Sequence, residues 1–240
     1  MNDLKPVLED AGFTVEPASY GQFSVQRFLW PEPLWPEPLR PLRAKAVKQV
    51  VADIRTARRL YNMDKGHDPK RMSVIAHSFG TYIVGRLLQD YSEFQWYRII
   101  FCGGVVEETF RFDQVLERFS RPLLNEIGTN DYWPALAESA GWGFGSVGST
   151  GFNRPGVVSR WHHGYTHSDF LTEDFCKEFW IPFLQGHEPK PAGKSTQLPL
   201  YVRLICMVPL RWVTGFLFLP ILYIAWLYYF VFRLAVSFFR

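Results

Sequence analysis

The chain has 240 residues and carries 26 Lys and Arg against 23 Asp and Glu, a formal charge of +3. So even a balance leaves no electrostatic footprint for nucleic acid, and the length supports one substantial core plus an appendage. Cys102, Cys176 and Cys206 are scattered, with no CxxC pair and no secretory n-region, which argues against a disulfide framework and for a reducing compartment.

Leu4, Val7, Leu8 and Ala11 recur at helical spacing and stop at Gly12, so a helix opens the chain, followed by a short strand over 14–17. No strand precedes that helix, and the sequence therefore begins inside a helix-then-strand unit. The motif WPEPL occurs twice in tandem, over 30–34 and 35–39, and proline density continues to Pro41. Proline fixes φ and removes a donor, so the repeat is an extended loop over the surface or the site mouth. A proline-motif ligand for a partner domain is the rarer reading of the same residues. From 44 to 61, Val47, Val50, Val51, Ile54, Ala57 and Leu60 form an apolar stripe opposite Lys and Arg, a helix that lies on a sheet.

Apolar strands are predicted over 72–76, 98–102, 122–127 and 156–161, with helices to about Asp90 after the first and over 168–184 after the last. Near-continuous apolar strands separated by helical patterns indicate an α/β fold, a mostly parallel sheet with helices on both faces. Residues 141–156, rich in Gly, Ser and aromatics without a period, read as a long flexible loop near the site. They lack the GK[ST] ending of a phosphate cradle.

The tail differs in kind. Residues 1–186 form the expected soluble domain, 187–199 a linker, and 200–240 a membrane-associated segment. Residues 212–232 carry no charge and are bounded by Arg211 and Arg233, a run long enough to cross a hydrocarbon core despite Pro220. Trp226, Tyr228, Tyr229 and Phe230 suit an interfacial belt. Residues 198–210 are too short to span alone and lie along the interface or complete a bent hairpin. A buried core helix is the competing reading. Lys190, Lys194, Arg203 and Arg211 precede the span while only Arg233 and Arg240 follow it, which puts the large domain in the cytoplasm.

The chemistry concentrates at Met72-Ser73-Val74-Ile75-Ala76-His77-Ser78-Phe79-Gly80, where an apolar strand meets a serine between small residues and a helix follows at once. This is the pattern of a nucleophile elbow, with Ala76 and Gly80 providing the room a strained turn needs. An N-cap serine is the bland alternative. Serine needs a base to take its proton and a carboxylate to orient that base. Asp131 follows the third strand and His167 the fourth, so both leave the sheet at the edge where Ser78 leaves it. Asp113 and His163 are the rivals. A metal site built on His162, His163, His167 and Asp169 is disfavoured, because there is no HExxH pattern and no cysteine ligand. No metal or cofactor is expected.

These residues resemble the α/β-hydrolase superfamily, in particular its lipase-like and esterase-like members, over about residues 4–184. The resemblance rests on Ala76-His77-Ser78-Phe79-Gly80, on 128–134 and on His167, in the chain order Ser, Asp, His. It implies a serine esterase with Ser78 as nucleophile, His167 as general base then acid, Asp131 as orienting carboxylate and the Phe79 N–H as first oxyanion donor. His77, Tyr20 and Trp133 are the expected pocket residues, His77 either lining the site or packing under it. The sequence departs from the family at Ala76, where GxSxG has glycine. It also lacks a strand and HG loop ahead of Leu4, the family's source of a second oxyanion donor, whose loss costs about 2.7–4 kcal/mol of transition-state stabilisation. Tyr20-Gly21-Gln22 is a substitute source. The substrate expected beside a bilayer is a lipid-like ester. A catalytically degenerate scaffold that binds a partner at the membrane, through residues 30–42, is the alternative from another class; the sequence names no protein partner.

Overall fold

The computed structural model describes residues 4–18, 42–61, 71–193 and 198–238. Their elements, in chain order, are helices α1 (Leu4–Asp10) and α2 (Leu42–Leu60), strand β1 (Val74–His77), helix α3 (Phe79–Asp90), and strands β2 (Ile99–Cys102) and β3 (Leu123–Gly128). Helices α4 (Trp133–Ala140) and α5 (Val147–Thr150), strand β4 (Val157–His162) and a composite helix α6 follow. This last starts at Glu173–Phe175, passes a π turn at Cys176–Trp180 and ends at Ile181–Leu184. Helices α7 (Leu200–Met207) and α8 (Leu210–Phe238) close the order.

The strands pair in sequence, β1-β2-β3-β4, and every pairing is parallel. The four strands predicted over 72–76, 98–102, 122–127 and 156–161 are present, displaced by one or two residues. Because side chains alternate across a strand, each strand feeds two cores. Val74, Ala76, Ile99, Phe101 and Leu123 join α2 and α3 on one face, and Ile75, Ile100, Cys102 and Leu124 join α1 and α6 on the other. Residues 99–102 are fully buried, which is why they read as an unbroken apolar run rather than as an alternation.

Three sequence expectations change. Residues 14–17 join no strand of the sheet: Phe13 and Val15 pack against the α1–α6 core, but Pro17 has no N–H to offer a ladder. The helix expected from Ser168 starts instead at Glu173, where the Thr172 hydroxyl caps the Phe175 N–H, because Asp169 turns the chain back onto Thr166. Residues 141–156 are not an open loop. They fold inward as α5, whose Val147, Gly148 and Ser149 are buried. Gly148 donates to the Gly104 carbonyl at 2.8 Å, an approach so close that a Cβ there would lie 2.2 Å from the Gly104 nitrogen. In residues 187–193 the Lys190 carbonyl accepts a bond from Arg160 at 3.1 Å and Gly193 bridges Trp161 on the outer edge of β4.

Helix α7 does not stand apart from the sheet-bearing part of the chain. It packs on α4, whose Ala135, Ala137, Ser139 and Ala140 leave room for close approach, and it buries Val202 completely. The Ser139 hydroxyl donates to the Val208 carbonyl, Arg211 donates to the Glu138 carbonyl at 3.1 Å, and the Trp142 and Trp212 rings meet edge to face at 4.9 Å. Among the described residues one stretch, Leu200–Leu217, is long and apolar enough to cross a membrane. The expected span over 212–232 lies within α8, which continues through Pro220.

Candidate active site

A parallel sheet delivers the carboxyl ends of all its strands to one edge, and the loops leaving that edge are where α/β folds assemble sites. Ser78 follows β1, Gly103 follows β2, Asp131 follows β3 by three residues, and His167 follows β4 by five.

Ser78 has φ 53° and ψ −123° and is, among the described residues, the non-glycine with positive φ. Such a conformation costs about 1–3 kcal/mol and persists only where neighbours over-determine it. Here the Ser78 N–H donates to the Cys102 carbonyl at 3.0 Å, and the Ser78 carbonyl accepts from the Thr81 N–H at 2.9 Å and the Thr81 hydroxyl at 2.7 Å. That hydroxyl in turn accepts from the Val105 N–H at 2.9 Å, tying the turn to the chain beyond β2. Ser78 occupies the N-cap position of α3, yet its hydroxyl makes no capping bond. The strained turn therefore serves something other than helix capping. Phe79, first residue of α3, buries its ring between Tyr82 and Phe144 and sets its amide at the positive end of the helix, beside Ser78.

The His167 Nδ1–H faces both oxygens of Asp131, at 2.9 Å to Oδ2 and 3.1 Å to Oδ1. With Nδ1 as donor, Nε2 carries the lone pair, the tautomer a general base requires. Asp131 is 1 % exposed. Its Oδ1 also accepts from the Trp133 N–H at 3.1 Å, and its main-chain carbonyl accepts from the Ser149 hydroxyl at 2.5 Å, so the inward-folded α5 braces it from behind. Burial pushes the Asp131 carboxyl above its ordinary value against the opposing pull of His167. The two loops are stitched directly: Asn130 N–H donates to the Tyr165 carbonyl at 3.0 Å and Gly164 N–H to the Thr129 hydroxyl at 2.8 Å.

His77 lies beside the site and supports His167. It donates Nε2–H to the His167 carbonyl at 2.8 Å, with ring centroids 4.4 Å apart. Burial, and the charge His167 would carry, lower its pKa to about 4, so it is neutral near pH 7. Gly103, with φ +54°, completes the floor: a Cβ there would lie 2.7 Å from both Cε1 and Nδ1 of His167. Ser78 is bonded to Cys102 and His167 lies against the next residue, Gly103, so the two flank one point of the sheet edge. No hydrogen bond joins the Ser78 hydroxyl to the His167 ring in this resting arrangement. Bonds of this kind are commonly loose until substrate closes them.

Trp133 stands at the mouth, 48 % exposed, its ring 6.4 Å from that of His167 and stacked on Tyr132. Tyr20, Gly21, Gln22 and the whole tandem repeat lie outside the described residues. His163 is exposed, and Asp113 sits on a 3-10 turn paired with Arg111 at 2.8 Å, so neither joins the site. Among the described residues no group of His, Cys, Asp and Glu could hold a metal ion.

Sequence reasoning missed a second carboxylate–imidazole pair. Glu126 and Arg160 face each other in register on β3 and β4, both almost fully buried. Arg160 binds both Glu126 oxygens, His162 Nε2–H donates to Oε2 at 2.9 Å, and Trp180 Nε1–H donates to Oε1 at 3.0 Å. Burial would raise the Glu126 pKa, but the His162 hydrogen bond and the Arg160 charge outweigh it and bring it below the usual carboxylate value. Opposite charges inside two adjacent apolar strands were the signal available. No family model, curated protein or solved structure matches this chain significantly, so the chemistry of the site rests on its own geometry.

Proposed function

We propose that this chain is a membrane-anchored serine hydrolase that cleaves a carboxylic ester through an acyl-enzyme, on a domain of the α/β-hydrolase type. The observation that carries this reading is Ser78, held in a strained strand-to-helix turn without a capping role, at the sheet edge where Asp131 already orients His167. The Ser78 hydroxyl attacks the ester carbonyl carbon and passes its proton to His167 Nε2. The tetrahedral oxyanion takes a hydrogen bond from the Phe79 N–H and the field of the α3 N-terminus. Collapse expels the alcohol, which takes the proton from His167 and leaves the acyl group on Ser78. Water then attacks with His167 again as base, releasing the acid and restoring the hydroxyl. Asp131 holds the imidazole in its tautomer and stabilises the imidazolium. No cofactor enters these steps.

The uncharged run within α8 supports anchoring, and the excess of Lys and Arg ahead of it supports a cytoplasmic catalytic domain. A fluorophosphonate probe tests the reading. Labelling of the wild-type chain that disappears in Ser78→Ala supports it, whereas an unlabelled wild type overturns it and leaves a degenerate hydrolase scaffold.

A further inference from the structure

The helix that begins at the site mouth is the helix on which the membrane segment is seated. Helix α4 starts at Trp133, two residues after Asp131, and packs against both α7 and α8. Tyr201 of α7 reaches further, its hydroxyl 3.5 Å from the carbonyl of Asn130, the residue before Asp131. Leu200, Leu204 and Met207 recur at i, i+4 and i+7 and so share one outward helix face, where they are 69 %, 52 % and 76 % exposed. Arg203 is also exposed. Val202 alone is fully buried on this helix, so packing on α4 leaves most of its apolar surface uncovered. Tyr132 and Trp133 extend that surface to the site.

We infer that α7, Tyr132 and Trp133 form one docking surface for a lipid bilayer, which opens the Ser78 site onto the membrane so that its ester is drawn from the bilayer and not from bulk water. The occupant is lipid because α7 belongs to the one described stretch long and apolar enough to cross a membrane, within which Trp212, Val213 and Phe216 of α8 are exposed as well. The chemistry matches an interface: aliphatic residues on one helix face, two half-exposed aromatic rings at its margin, and a long cation whose stem can lie along the apolar surface with its head in the headgroup layer. The inference about substrate supply rests on the hydrolase reading, while the docking surface can be read without it.

The full chain, with Cys206→Ser to remove its partly exposed thiol, is reconstituted in phosphatidylcholine vesicles with a nitroxide at position 204 or 207, and at Leu60 of α2 as a solvent-facing control. Positions 204 and 207 should collide more often with oxygen than with a nickel chelate, and position 60 the reverse. Collision patterns at 204 and 207 that match position 60 overturn the docking surface. Protection from both reagents also overturns it, since that places a second copy or another protein there. In a kinetic arm, Leu204→Asp with Met207→Asp should lower kcat/KM on a long-chain ester in vesicles by about tenfold or more, for loss of buried apolar surface. The same double variant should hydrolyse a short water-soluble ester within about twofold of wild type, as the changes lie outside the site. Equal losses on both esters overturn membrane supply. Absence of hydrolysis of either ester by wild type refutes the hydrolase reading and with it the supply of substrate, while the nitroxide result still decides the docking surface.

Discussion

Two carboxylate–imidazole pairs lie side by side on β3 and β4 and the loops that follow them, each spanning the same separation along the chain, and they have opposite character. Glu126 and His162 are sealed, with Arg160 and Trp180 occupying the remaining lone pairs and no open side left. Among the described residues, Asp131 and His167 have no cation beside them, an exposed tryptophan at the mouth and a glycine under the ring. Their carboxyl groups shift in opposite directions, Glu126 down and Asp131 up. The lesson is that the pairing of residue types does not make a catalytic unit. On the proposed reading, what is left unsatisfied around the pair does.

The sharpest break between them is activity against stability. Ser78→Ala or Asp131→Asn should cut turnover of a model ester by about 10⁴-fold or more, read as initial rates. Asp131→Asn should leave the urea midpoint unchanged or raised, because a raised carboxyl pKa means that the ionised group opposes folding near pH 7. Glu126→Gln should do the reverse. It strands the Arg160 charge in a sealed interior at a cost of about 3–5 kcal/mol by urea denaturation, and any folded fraction should retain fluorophosphonate labelling at Ser78. A Glu126→Gln chain of wild-type stability would remove the distinction.

Smaller effects sharpen the comparison. Gly103→Ala places a methyl against His167 and away from Glu126, so it should lower kcat/KM by about 10²-fold through misplacement of the imidazole, with little effect on the sealed pair. The mildest test is pH. An unfolded His77 takes up its proton near 6.5 and the folded one holds out until about 4, so the unfolded chain binds more protons across that window and stability falls as pH falls through it. The slope due to this group is at most about 1.4 kcal/mol per pH unit. His77→Gln, which keeps a donor for the His167 carbonyl, should flatten the stability profile between pH 6.5 and 4 while activity at pH 8 stays within about threefold. An unchanged profile would mean that His77 protonates freely in the folded protein.

By itself the sequence determined what depends on short-range pattern. Apolar runs marked all four strands, unbroken in β2, which is covered on both faces and has no polar side to show, and interrupted by Glu126 in β3 and Arg160 in β4; the strand-serine-helix junction marked Ser78, because only small flanking residues permit that turn. The order Ser78, Asp131, His167 and the uncharged stretch before Arg233 were legible for the same reason. Contacts between residues distant in the chain were decided only by the tertiary structure. The His77 ring met the His167 carbonyl, residues 141–156 folded inward to brace Asp131, Glu126 and Arg160 cancelled each other across two strands, and α7 settled on α4 beside the site mouth. Each of these depends on which surfaces meet when the sheet is covered, and nothing in the local spacing of residues encodes that.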